Sequence, residues 1–220
     1  MPMTLTAMEA RVLGCLMEKA ATTPEYYPLT LAALTAACNQ KSNRYPVLQA
    51  DEKEVVRALD GLREKKLASA IALAGSRAPK YRHAAAELGP LDVRQSAVLC
   101  ELLLRGPQTV GELRTRAGRM APFADAPDVQ GALDALMAWP DGALAGRMPP
   151  GAGQREDRYA HLLCGPLPEE PARPPAEEPA RLAVAAEDAR LAALESRVAE
   201  LGAELAGLKA RLESFVSQFQ

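Results

Sequence analysis

A mainly helical α+β fold that uses one structural unit twice is what this 220-residue chain predicts, and three observations predict it. The first is internal repetition. Thr6-x-x-Glu9 opens a run carrying Val12, Leu13 and Leu16, and 86 residues later Asp92-x-x-Gln95 opens one carrying Val98, Leu99 and Leu102. The second is that the offset shifts only between elements. Residues 29–34 (LTLAAL) match 108–113 (QTVGEL) at an offset of 79, Asp51-x-x-Glu54 with Val55, Leu59 and Leu62 matches Asp125-x-x-Asp128 with Val129, Leu133 and Leu136 at 74, and Lys80-Tyr81-x-His83 matches Arg158-Tyr159-x-His161 at 78. Two copies that differ in loop length produce this pattern. The third is the order within each copy: a helix, a short apolar stretch entering a second helix, a third helix, then two β-prone runs around a turn. That order is a winged helix. The expected organisation is therefore two tandem winged-helix domains at 1–88 and 89–165, a Pro/Glu-rich linker at 166–181 and a coiled-coil helix at 182–220.

Each element has a local cause. Thr6 and Glu9 form a reciprocal capping box that starts helix 1, and Leu5, Met8, Val12 and Leu16 line one face at helical spacing. The loop 20–28 carries Tyr26 and Tyr27 between prolines and is seven residues longer than its counterpart at 106–107. Helix 2 is expected over 30–38. The connection 39–50 that follows far exceeds the three or four residues of a compact helix-turn-helix, and in the second copy it is five residues shorter. Helix 3 begins at Asp51 and at Asp125. Hairpins are expected at 67–73 with 80–83, and at 143–148 with 158–163.

From 166 to 181 six prolines and four glutamates rule out a packed core and predict an extended, semi-rigid spacer. Beyond it Leu191, Leu194, Val198, Leu201, Leu205, Leu208, Leu212, Phe215 and Phe219 alternate at intervals of three and four, a heptad seam. Homodimerisation through this seam is the preferred reading, and packing on the chain's own body or on another partner is the alternative. Gly202 and Gly207 lie off the seam and weaken the helix by about 1 kcal/mol each.

Composition narrows the function. Aromatic content of 4% argues against a base-stacking surface for single strands. Net charge is −2, yet residues 1–90 hold 12 Lys and Arg against 9 Asp and Glu, while 91–165 hold 8 against 9 and 166–220 hold 6 against 10. Only the first copy leans basic. Four scattered cysteines without a C-x-x-C pair, no secretory signal and no membrane-length apolar run point to a cytoplasmic protein.

Candidate nucleic-acid contacts follow from that asymmetry: Lys41 and Arg44 on the long connection, Lys53 and Arg57 on helix 3, and Arg77, Lys80 and Arg82 on the wing. Lys65 and Lys66 suit a helix carboxyl end. Carboxylates at the start of helix 3 in both copies cap free amides, and they also oppose groove insertion. Arg114, Arg116 and Arg119 read as a solvated helix face. His83 and His161 repeat through duplication, no zinc set or nucleophile triad is spelled out, and neither a cofactor nor catalysis is expected.

Residues 5–19 (LTAMEARVLGCLMEK), 22–28 (TTPEYYP), 37–47 (ACNQKSNRYPV), 102–113 (LLLRGPQTVGEL) and 158–162 (RYAHL) resemble the YceH family, uncharacterised bacterial proteins with two winged-helix domains. The resemblance covers about residues 4–165, with 37–47 its most specific string. It implies the tandem fold and carries over no functional residue. Two functions stay open: a DNA-associated regulatory protein that binds duplex mainly through the first copy, or a protein-interaction scaffold whose winged helices dock a protein partner.

Overall fold

The computed structural model describes residues 4–72, 78–150, 155–167 and 197. The same order of elements occurs twice. The first half runs α1 (Ala7–Thr22), β1 (Leu29–Thr30), α2 (Leu31–Cys38), α3 (Glu52–Glu64), β2 (Ala68–Ile71) and β3 (Lys80–His83). The second runs α4 (Val93–Arg105), α5 (Val110–Ala117), α6 (Ala126–Met137), β4 (Ala145–Met148) and β5 (Arg158–His161). The architecture is α+β and mainly helical. Arg197 is helical, and the seam residues Leu191 to Phe215, like Arg77, lie outside the described residues.

Helix starts are fixed locally. Thr6 Oγ1 accepts from Glu9 N at 3.1 Å while Glu9 Oε2 accepts from Thr6 N at 2.7 Å. Asp51 with Glu54, Asp92 with Gln95 and Thr109 with Glu112 repeat the arrangement at α3, α4 and α5. Each box satisfies two amides that the first turn would leave open.

β1, β3 and β2 form an antiparallel sheet in that spatial order, with Leu29 opposite Tyr81 and Thr30 opposite Lys80. In the second half β4 pairs with β5, and the place of β1 is taken by a single bridge between Gln108 and Tyr159. Gln108 and Tyr159 occupy the repeat positions of Leu29 and Tyr81, so the register recurs even where the strand does not. β3 spans the expected 80–83, while β2, β4 and β5 are shorter than the expected runs.

One core runs through both halves. Ten consecutive residues of α1, Glu9 to Glu18, are buried, as are nine of α4, Ala97 to Arg105. A helix buried on all sides sits at the centre of its domain. The two first helices of the repeat pack on one another there, with the α2–α3 layer on one side and α5–α6 on the other. Gly14 provides the close approach, since a Cβ on it would stand 3.0 Å from Leu104 Cδ2 and 3.1 Å from Leu103 Cβ. The start of the first half and the end of the second are tied as well: Leu5 N donates to Leu163 O at 2.6 Å.

Candidate functional site

The junction between the halves holds a buried charge network. Glu18 on α1 is 1% exposed, and Arg44 is fully buried. The Arg44 guanidinium pairs with both Glu18 oxygens, one of them at 3.0 Å, and its Nε donates to Ala37 O at 3.0 Å. Arg119, between α5 and α6, donates to Glu18 and to Glu101 on α4, and Arg105 pairs with Glu101 and donates to Asn43. Burial raises the Glu18 carboxyl, but its bonds to Arg44 and Arg119 outweigh that and hold it below the ordinary carboxylate range.

This geometry corrects two sequence expectations. Arg44 cannot reach a phosphate, because its side chain is the buried partner of Glu18. Arg119 is no solvated face residue, because it bridges a carboxylate from each half. The rest of the 37–47 string serves the same closure. Asn39 caps Ala50 through both amide atoms at 2.8 Å, Tyr45 N donates to Leu104 O at 2.9 Å, and Arg11 donates to Cys38 O at 3.1 Å and Pro46 O at 2.7 Å. The signal for this was Glu18 and Glu101, carboxylates inside otherwise apolar helices that require a buried cation.

Outside the junction the cations of the two halves are spent differently. In the second half Arg94 bonds Asp128, Arg114 bonds Ala124 O, Arg116 bonds Gln108, Arg147 pairs with Asp157, and Arg158 bonds Pro107 O and Glu112. Helix α6 carries no Lys or Arg at all. In the first half Lys41, Lys53 and Arg57 are exposed and Lys80 half-exposed, and none forms a salt bridge among the described residues. Arg82 is exposed and donates to Ser69 Oγ at 3.0 Å. Lys65, by contrast, is held on Glu9 at 2.6 Å.

Two of these cations line one place, and a third lies on the strand that pairs next to it. Lys53 and Arg57 flank a groove of about 470 Å³ whose far wall is Leu31, the first residue of α2, with Glu52 on its rim. Lys80 pairs with Thr30, the residue before Leu31. Strand alternation sends Lys80 and Arg82 to the face opposite Tyr81, which packs on the core. Lys41 stands apart on the connection after α2.

The two equivalent histidines differ. His83 Nδ1 accepts from Ala85 N at 3.2 Å, and the His83 amide donates to the Tyr27 hydroxyl at 2.7 Å. His161 Nδ1 has no hydrogen-bond partner among the described residues, and burial pushes its pKa from the ordinary 6.5 to about 4. Among the described residues no group of three or more His, Cys, Asp or Glu side chains is placed to hold a metal ion, and no helix is long and apolar enough to cross a membrane.

Comparison with known proteins places the chain. Residues 5–154 match the family described as protein of unknown function, DUF480. A UPF0502 protein of Geotalea uraniireducens is 54% identical over 221 residues, spanning 100% of both chains. One of Geobacter sulfurreducens is 53% identical, again over 100% of both, and one of Vibrio parahaemolyticus is 45% identical over 99% of this chain and 100% of the relative. The chain belongs to the bacterial DUF480/UPF0502 family, which is the YceH family that its 37–47 string resembles.

Proposed function

We propose that this is a non-enzymatic, DNA-associated protein of two tandem winged helices, in which the first half contacts duplex DNA and the second supports it. The winged-helix reading rests on the repeated order of three helices and a hairpin and on the recurring β1 register. The DNA reading rests on one observation above all. Seven of the eight cations in residues 91–165 are engaged in internal bonds, Arg155 being the exception, whereas Lys53, Arg57 and Lys80 form no ion pair among the described residues around the start of α2.

Phosphate contacts of this kind give affinity without sequence readout. Duplex DNA of random sequence should therefore bind the full chain at low salt and be released as salt rises. No retention at low ionic strength would end the proposal. Dimerisation through Leu191 to Phe215 would double the contacts; full-chain Leu201→Asp with Leu205→Asp should then lower both the mass in sedimentation and the duplex affinity.

A protein-docking role is the second reading. It is favoured by α6, whose exposed Pro127, Gly131 and Asp134 offer no cation, and by the acidic start of α3. A protein partner retained by the full chain after nuclease treatment, with no duplex affinity, would select it.

A further inference from the structure

The repeat places two clefts on either side of the α1–α4 crossing, and they are copies of one another. The first, of about 550 Å³, is lined by Ala7, Ala10, Arg11, Leu103, Gly106 and His161, with the segment around Pro46 and Leu48 as its outer wall. The second, of about 380 Å³, is lined at the repeat-equivalent positions by Val93, Ser96, Ala97, Met17, Ala20 and His83. The pairs follow from the offsets of 86 and 78. One exchange changes the chemistry. Where the second cleft has Ala97, the first has Arg11.

Ala97 shows that packing of the two central helices needs no cation at this position. Arg11 is nevertheless 3% exposed, and its partners are neutral carbonyls, Cys38 O and Pro46 O. Among the described residues its buried Nε has no hydrogen-bond partner and no carboxylate pairs with the guanidinium. The nearby Glu18 is already taken by Arg44 and Arg119. Glu54, the carboxylate on the cleft wall, is held on Asp51 N at 2.9 Å. Burial lowers the Arg11 pKa, with the neighbouring Arg44 charge adding to it, and outweighs the opposing field of Glu18. An apolar cleft of small-molecule size with one deep polar anchor is the usual form of a ligand pocket.

We propose that the first cleft binds a small monocarboxylate with an apolar alkyl or aryl body, its carboxylate meeting the Arg11 guanidinium and its body lying against Ala7, Ala10, Leu48 and Leu103. The site stands independently of any DNA contact. A carboxylate supplies the ion-pair partner that the guanidinium lacks among the described residues.

The test is calorimetric titration and thermal shift of the full chain with octanoate and 4-phenylbutyrate, against octanamide and 4-phenylbutanol at equal ionic strength. Both acids should bind and raise the melting temperature, and the neutral analogues should bind about tenfold more weakly or worse. Arg11→Gln should abolish the preference for the acid. Ala7→Trp, at an exposed position on the rim, should weaken both acids, and it decides the matter if Arg11→Gln does not fold. Equal binding of acids and neutral analogues, unchanged binding in Ala7→Trp, no binding up to about 10 mM, or binding of peptides with a free carboxyl terminus but not of the small acids would overturn the proposal.

Discussion

The Cys100 thiol donates to the Gly14 carbonyl at 3.3 Å, and these two residues hold the same place in the two halves, 86 positions apart. Equivalent positions meet when two copies are related by an internal two-fold axis, as in an isologous dimer fused into one chain. Gly14 and Cys100 mark that axis. The rest of the junction departs from symmetry: the position of Glu18 is Leu104 in the second half, and that of Glu101 is Cys15 in the first. Close packing is shared between the halves, and the charged closure is added on one side of it.

Gly14→Ala tests the close approach. Its Cβ would press on Leu103 Cβ and Leu104 Cδ2, and overpacking of this kind costs about 1–3 kcal/mol. Better helix propensity returns about 1 kcal/mol. A net loss of about 1 kcal/mol in urea unfolding is expected, and a larger one for Gly14→Val. An unchanged or raised midpoint would mean that the helices do not meet there.

Arg44 separates structure from ligand contact. Replacing it with Met leaves Glu18 buried with Arg119 and a longer pair to Lys19 at 3.7 Å, and a buried carboxylate stripped of its main partner costs about 3–5 kcal/mol. Arg44→Lys keeps the charge but loses the fork and should fall between. The pH dependence has a fixed sign. The folded Glu18 carboxyl titrates below its ordinary 4.5, so its stabilisation is complete above that value and is lost as pH falls through the folded pKa. Arg44→Met should flatten this part of the acid unfolding curve; a curve as steep as wild type would contradict the pairing.

His161 makes a second pH prediction. Its folded pKa of about 4 lies below the ordinary 6.5, so between those values the unfolded chain takes up a proton that the folded chain refuses. Stability therefore falls as pH drops from 6.5 towards 4. His161→Phe should weaken that decline, measured as melting temperature against pH, and an imidazole resonance titrating near 4 in the native protein would report the group directly.

How much of this was legible in the sequence depends on the range of the interaction. The caps at Thr6, Asp51 and Asp92 were readable because a cap needs only residues three apart. The repeated Tyr-x-His strand followed from the same short patterns, whereas the pairing of Leu29 with Tyr81 was not legible, because it joins residues 52 apart. Arg44 was misread because a cation in a polar loop looks solvated, and its partner Glu18 lies 26 residues earlier. Arg119 reaches Glu18 across 101 residues, a distance that no local pattern spans. Arg11 was passed over inside an apolar helix, and only the paired clefts show it to be an addition. The asymmetry of charge between the halves was visible as a count, but the structure showed which cations are already spent.

The salt dependence of duplex binding tests the functional reading most directly. For the full chain, the logarithm of the affinity should fall linearly with the logarithm of salt concentration, and each phosphate contact removed should lower that slope by about 0.9. The triple variant Lys53→Ala, Arg57→Ala, Lys80→Ala should bind more weakly with a slope smaller by about 2 to 3, while Arg155→Ala in the second half should change little. An unchanged slope in the triple variant, or no duplex binding by the wild-type chain at low salt, would contradict DNA contact through the first half.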